Sequence, residues 1–421
     1  MIKTVTSGKT YLFLSCIILF VIQNRLQQWF EPFQYLDEVF AVLFFPALAF
    51  WVFKKKNKIV WTRKRIIFLA LLLIFWCWGW GGNFMYQYQN FISAAKDSYV
   101  NLKFFLAVGG TFLIFADSSL DFKKIRKNLW LLLNVITAIL FALCLLDLGF
   151  GIFSTETRGG MRAVKLFYSA YTYLVGQGVF LSAWYLWFYE EKKKEIIPPL
   201  VMLAFVMLST RRAKAMGAAA CILMVYLLVF RQKQKISKKV KIFAVCVVGL
   251  AVAGGLYQLI SYYYTMGVES ARAVLTIAAP FLAIDHFPFG TGWGTFGSAF
   301  SAEPYSPVYS MYQMEGVWGL SPEYHKFVSD TYWPMIMGQC GFVGFAALIG
   351  VLILFVQKVW TLRSDKSAFA AALIPLLYLL LSSTSESAFA SPVSVSLAFL
   401  IGFLFAEQKV KRENRKQETR Q

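Results

Sequence analysis

Acidic side chains are scarce and histidine is nearly absent, with 22 Asp and Glu and two His among 421 residues. No His-Glu-x-x-His pair, Asp-rich cluster, Gly-Lys-Thr phosphate loop or nucleophile elbow occurs. Zinc-hydrolase, P-loop and α/β-hydrolase chemistries therefore have no footing here. The six cysteines, Cys16, Cys77, Cys144, Cys221, Cys246 and Cys340, all fall in apolar runs, and no two of them have metal-ligand spacing. They read as small core residues. There is no fixed-period repeat and no low-complexity tract beyond the basic end "EQKVKRENRKQETRQ", which argues against repeat architectures.

What fills the chain is apolar: 58% hydrophobic and 18% aromatic residues against 15% charged. That balance predicts a polytopic membrane protein. A bilayer core of roughly 30 Å needs about 20 mostly apolar residues per helix. Spans are expected near 10–24, 36–53, 66–82, 99–117, 129–149, 168–189, 196–210, 213–230, 242–260, 331–357, 367–385 and 387–406. The first carries Lys3 and Lys9 but no small-residue cleavage site, so it reads as an uncleaved helix. The expected architecture is all-α with about 12 transmembrane helices. Residues 1–406 form a single transmembrane domain, and 407–421 a basic cytoplasmic tail.

The formal charge of +20 invites a nucleic-acid reading, which the distribution of charge argues against. Twelve spans put both termini on one side, and 31 of the 42 Lys and Arg lie there. Clusters such as "KKKNKIVWTRKR" (54–65) and "RQKQKISKKVK" (231–241) follow the positive-inside rule. The partners this implies are membrane lipids, with no nucleic acid.

One long segment, about 261–330, then lies outside, between spans nine and ten. It is too long for a bare connector. "SARAVLTIAAPFLAIDH" has an apolar face at helical spacing and suits the membrane surface. "FPFGTGWGTFG" offers Gly290 and Gly292 for tight turns, and tyrosines and acids follow. A lid over an external site is the expectation.

Eleven cations remain on the outside, and six of them fall in two short stretches, "TRGGMRAVK" and "STRRAK". The span before Arg211 and Arg212 is short, which sinks both residues below the outer surface. Since no acid lies in that hairpin, a bound anion is the expected partner. The planar fork of arginine suits a phosphate, with Arg158 and Arg162 assisting. Lys214, one turn on, either joins them or reaches lipid headgroups. Glu323, His325 and Asp330 lie within eight residues and offer a base for an acceptor hydroxyl, although Asp330 is also placed to cap the next helix. His286 reads as structural. Asp147 is a lone membrane acid that could meet an external Arg, and Asp117 lies at an inner edge.

In that order and topology, four stretches resemble the bacterial O-antigen polymerase and ligase family of membrane glycosyltransferases: "ETRGGMRAVKLFYSAYTYL", "LSTRRAKAMGAAA", "FPFGTGWGTF" and "SDTYWPMIMGQCGFVGFAALIG". They span about the C-terminal two-thirds of the chain. The resemblance implies a GT-C-like fold in the bacterial cytoplasmic membrane, with the active site facing outside. It implies transfer of an oligosaccharide from undecaprenyl diphosphate to a second glycan, without sugar nucleotide, cofactor or obligatory metal. Chain-length regulators and flippases would be protein partners. Arg211, Arg212, Arg158 and Arg162 would bind diphosphate; Gly290, Gly292, Glu323 and Lys214 would belong to the substrate loop; Asp330 or His325 would be the base. Ligase-like members carry a His eleven residues before the Gly-x-x-Gly, where this chain has Asp330. That departure favours a polymerase over a ligase. A lipid-linked oligosaccharide transporter is a third reading, disfavoured because midplane charge is sparse.

Overall fold

A computed structural model of the chain describes residues 2–54, 62–116, 120–230 and 260–418, with isolated positions between 242 and 257. Most of the expected ninth span (242–260), the cluster 231–241, most of the cluster 54–65, and Asp117 lie outside the described residues. The helices are α1 (Ile2–Trp29), α2 (Leu36–Val42), α3 (Phe44–Lys54), α4 (Arg63–Tyr86), α5 (Phe91–Phe115) and α6 (Phe122–Phe150). Then come α7 (Tyr171–Trp187), α8 (Tyr189–Lys192), α9 (Ile197–Leu208), α10 (Ala213–Val225) and α11 (Ala271–Asp285). The last are α12 (Val308–Met311), α13 (Tyr332–Trp360), α14 (Lys366–Ser382) and α15 (Pro392–Glu418). Among the described residues, eight helical stretches are long and apolar enough to cross a membrane, and α9 and α14 are shorter apolar helices.

Local chemistry sets the breaks. The expected span 36–53 divides at Leu43 into α2 and α3. Pro46, in the first turn of α3, lacks an N–H, and its ring crowds the carbonyl four residues back. Helix α6 ends at Gly151, whose φ of 68° suits a residue without Cβ. The C-terminal stretch is no separate tail: α15 continues to Glu418. Buried Glu407 on α15 accepts hydrogen bonds from Arg126 (3.1 Å) and Trp187 (2.9 Å), and Lys411 bridges Glu407 and Asp365. This network ties α6, α7 and α15 at the end where α6 begins. Cys77 and Cys246 are exposed rather than core, while the other four cysteines are buried or half-buried.

The glycine-rich segment is built into the bundle instead of lying over it. Trp293 is fully buried and exchanges hydrogen bonds with Asn83 of α4 (2.7 and 2.9 Å), and its indole N–H reaches the Trp76 carbonyl at 3.0 Å. The Gly294 N–H donates to Asp97 of α5 at 2.8 Å. Helix α13 breaks at Gly341 (φ 60°, ψ −174°), which leaves carbonyls without helical partners. The N–H groups of Thr291 and Gly292 bond the Gly338 and Gln339 carbonyls at 2.9 Å each. Gly290 and Gly292 thus join α4 to α13, a structural duty that corrects the lid expectation for this part of the loop. An added Cβ on Gly82 would lie 2.6 Å from the Gly290 oxygen and the Gly292 nitrogen. Gly82→Ala is therefore expected to cost roughly 3 kcal/mol or more. Gly149→Ala, which meets open space, should be neutral; melting of the two purified variants in detergent checks this.

Candidate functional site

The two basic stretches singled out in the sequence meet at one end of the bundle. Thr157–Arg158 and Met161–Arg162 pair as a short antiparallel hairpin, and Gly159 and Gly160 between them take φ of 57° and 74°. Two consecutive positive φ values are the geometry of a tight hairpin turn. The hairpin is attached to the α9–α10 turn, because the Val164 N–H donates to the Ser209 carbonyl at 2.9 Å. Arg211 reaches Met161 Sδ at 3.2 Å. The guanidinium groups of Arg158 and Arg212 both lie against the Tyr171 ring, 5.4 and 4.8 Å from its centroid.

The expectation that these arginines lack an acid is corrected. Glu156, from the neighbouring loop, accepts a 2.7 Å hydrogen bond from the Tyr171 hydroxyl and another of 2.7 Å from Arg158 Nε. The tyrosine bond outweighs burial and, with Arg158 and Arg212 nearby, holds the Glu156 carboxyl below its ordinary range. Arg212 and Arg158 are therefore a partly neutralised pair, while Arg211 is exposed. Helix α9 has 12 residues. At 1.5 Å per residue that is about 18 Å, well short of a bilayer core.

Arg162 stands apart. It donates to the carbonyls of Asp147 (2.9 Å) and Leu148 (3.1 Å), capping the end of α6. The Asp147 carboxylate turns instead to the N–H groups of Phe153 (2.6 Å) and Ser154 (3.1 Å), so the arginine meets its backbone and not its acid group. Arg162→Ala should lower stability by about 1–2 kcal/mol through the lost cap. A melt of the purified variant in detergent beside wild type checks this.

Next to this basic rim lies a cluster of two ion pairs. Arg272, in the first turn of α11, donates from Nε (3.1 Å) and Nη2 (2.9 Å) to Asp330 Oδ2. Lys214, in the first turn of α10, bonds Glu386 at 2.9 Å and the Ser385 carbonyl at 3.1 Å. This replaces the headgroup alternative for Lys214. Asp330 does not cap α13: the N-cap is Thr331, without a side-chain cap bond. The segments carrying Asp330 and Glu386 are joined by Tyr332 N–H to Ser383 O (3.2 Å) and Ser387 N–H to Ser329 O (3.2 Å). Burial pushes the Asp330 carboxyl above its ordinary range, against the pull of Arg272 and Lys214. Both Arg272 bonds use one oxygen, so among the described residues nothing bonds Oδ1.

His325 is not part of this cluster. Its Nε2 lies 3.2 Å from Glu303, and Nδ1 lies 3.1 Å from the Pro322 carbonyl. Glu323 is exposed nearby. His286 is buried among Tyr86 and Tyr88 and sits 3.2 Å from the Tyr88 hydroxyl, a structural placement.

Besides Glu156, other acids went unread in the sequence. Glu386 lies between two apolar runs, where "SSTSESAFA" looks like an ordinary turn. Asp37 and Glu38 pair with Lys103 at 2.6 and 3.3 Å, and Asp37 also accepts from Gln23 at 2.7 Å. Lys103 and Asp37 are almost fully buried. A lone lysine inside an apolar span was the available signal, because such a charge needs an internal partner.

Fold and site together define the class: an all-α polytopic membrane protein in which Lys214–Glu386 and Arg272–Asp330 bring charged side chains together where α10, α11 and the segments before α13 and after α14 meet. Compared with known proteins, the chain matches no family model and no curated protein.

Proposed function

We propose that this chain is a polysaccharide polymerase, which transfers a lipid-linked oligosaccharide from undecaprenyl diphosphate onto another repeat unit at the outer face of the bacterial cytoplasmic membrane. The observation that carries the reading is that the turn bearing Arg211 and Arg212 leads within two residues into Lys214, whose charge acts on Asp330, while both Arg272 bonds to Asp330 fall on Oδ2 alone. In this reading Asp330 takes the proton of the acceptor hydroxyl as that oxygen attacks the anomeric carbon. The bond from that carbon to the diphosphate breaks, and undecaprenyl diphosphate leaves with its electron pair. Arg211 and Arg212, with Arg158 behind them, stabilise the negative charge that grows on the leaving group. Lys214, held by Glu386, adds positive charge beside Asp330.

In this scheme twelve spans place both termini in the cytoplasm and the charged end outside. Purified protein given its lipid-linked repeat unit in nanodiscs should yield a ladder of long products without sugar nucleotide. Cells deprived of the protein should accumulate single lipid-linked repeats. If they accumulate long lipid-linked polymer instead, the chain is a ligase and the polymerase reading is wrong.

A further inference from the structure

We propose that Trp318 and Tyr324 form a stacking platform that holds the acceptor glycan beside Asp330. Trp318 is 67% exposed, yet its ring is firmly placed. It stacks on Tyr324 (centroids 5.2 Å apart, planes at 29°) and meets Phe327 edge-on at 4.9 Å. The Phe327 N–H bonds the Gly319 carbonyl at 3.0 Å, and the Tyr305 hydroxyl bonds the Leu320 carbonyl at 2.6 Å. Leu320 and Val328 lie in a buried core under the loop. An aromatic face so fixed and left open loses little freedom on binding.

The surroundings select the ligand. Although the chain carries a net +20, residues 303–327 hold three carboxylates, Glu303, Glu315 and Glu323, against one lysine, Lys326. An acidic aromatic patch is repelled by anionic lipid headgroups. It suits a polyhydroxylated ring, whose C–H face rests on the negative π-face while its hydroxyls donate to carboxylates. Glu303, braced by His325 at 3.2 Å, and exposed Glu323 supply those acceptors. His325 and Glu323 thus gain a role that the Asp330 cluster does not give them.

Position fits the reaction. The Asp330 N–H donates to the Phe327 carbonyl at 3.2 Å, and three residues span at most about 10 Å of chain. A glycan stacked on Trp318 can therefore present a nearby hydroxyl to Asp330. The identity of this ligand rests on the polymerase reading, and the binding itself can be measured without turnover.

The test uses the full chain in nanodiscs and, as probe, the oligosaccharide released by mild acid from the cells' own lipid-linked repeat units. Hydrogen exchange across 315–328 should slow on adding the probe. The concentration for half protection should rise about tenfold in Trp318→Ala, and Trp318→Tyr, which keeps a stacking face, should recover most of it. With the lipid-linked substrate, Trp318→Ala should raise the acceptor concentration needed for half-maximal coupling and shorten the chains, and Trp318→Tyr should again recover most of both. Exchange that ignores the free glycan but slows on passing from detergent into the bilayer would make Trp318 a membrane anchor and overturn the platform. Wild-type protein that makes no polymer, yet is protected by the glycan, would instead sink the polymerase reading and leave the platform standing.

Discussion

Asp330→Asn should, on the polymerase reading, cut polymer formation by about 10²–10⁴-fold, the range typical of a lost general base, while the protein still inserts. The amide keeps the shape of the group and an oxygen that can accept from Arg272, while it gives up the negative charge and the ability to take a proton. Two controls make the result specific. Because burial raises the Asp330 carboxyl above its ordinary range, the wild-type rate should fall on acidification at a pH higher than an exposed aspartate would give. Removing Arg272 removes the main force opposing that shift, so Arg272→Ala should move the acidic limb to still higher pH. The fold should survive this acidification. The folded carboxyl holds its proton more tightly than the unfolded chain does, so this group favours the folded state more as pH falls through the raised range. A pH profile identical in wild type and Arg272→Ala would remove Asp330 from the role of base.

The second large effect concerns Arg211, the residue that joins α9 to α10. Its φ of 55° places a bulky side chain in the left-handed region. That conformation costs a non-glycine residue roughly 1–2 kcal/mol. A glycine would fit the turn without strain, so Arg211→Gly should fold at least as stably, with a gain of up to about 1 kcal/mol. In the proposed mechanism it should nevertheless lose most activity, and Arg211→Ala combined with Arg212→Ala should abolish polymer. Stability and activity moving in opposite directions is what a strained functional residue predicts. Normal-length polymer from the double variant, measured in cells and with purified substrate, would end the diphosphate assignment.

Much of this was readable beforehand, for reasons that differ by region. Apolar runs report helices directly, and α1, α4, α5, α6, α10, α13 and α15 lie where hydropathy puts spans. The basic stretches around Arg158 and Arg211 were also legible, since cations away from the topological side are conspicuous. Pairings were not. Lys214 finds Glu386, and Arg272 finds Asp330, across long separations that no local pattern encodes. The "FPFGTGWGTFG" segment misled for a related reason: glycines fit an exposed lid and a tightly packed insert equally well. The cavity between α4 and α13 is what decides, and it exists only once both helices are in place. The break at Gly341 was hidden inside an unbroken hydrophobic run.

That insert also bears on how the protein is made. Asn83 of α4 enters the membrane 210 residues before Trp293, the residue it binds, has been synthesised. At ordinary elongation rates the delay is on the order of 10–40 s. During it the glycine face of α4, with Gly79 and Gly82 cut to fit Trp293 and the loop backbone, stands without its filling. Nascent chains arrested before Gly290 should therefore retain α4 and α5 as separable helices open to the insertion machinery, and they should close into a protease-resistant bundle only after Gly341 has emerged.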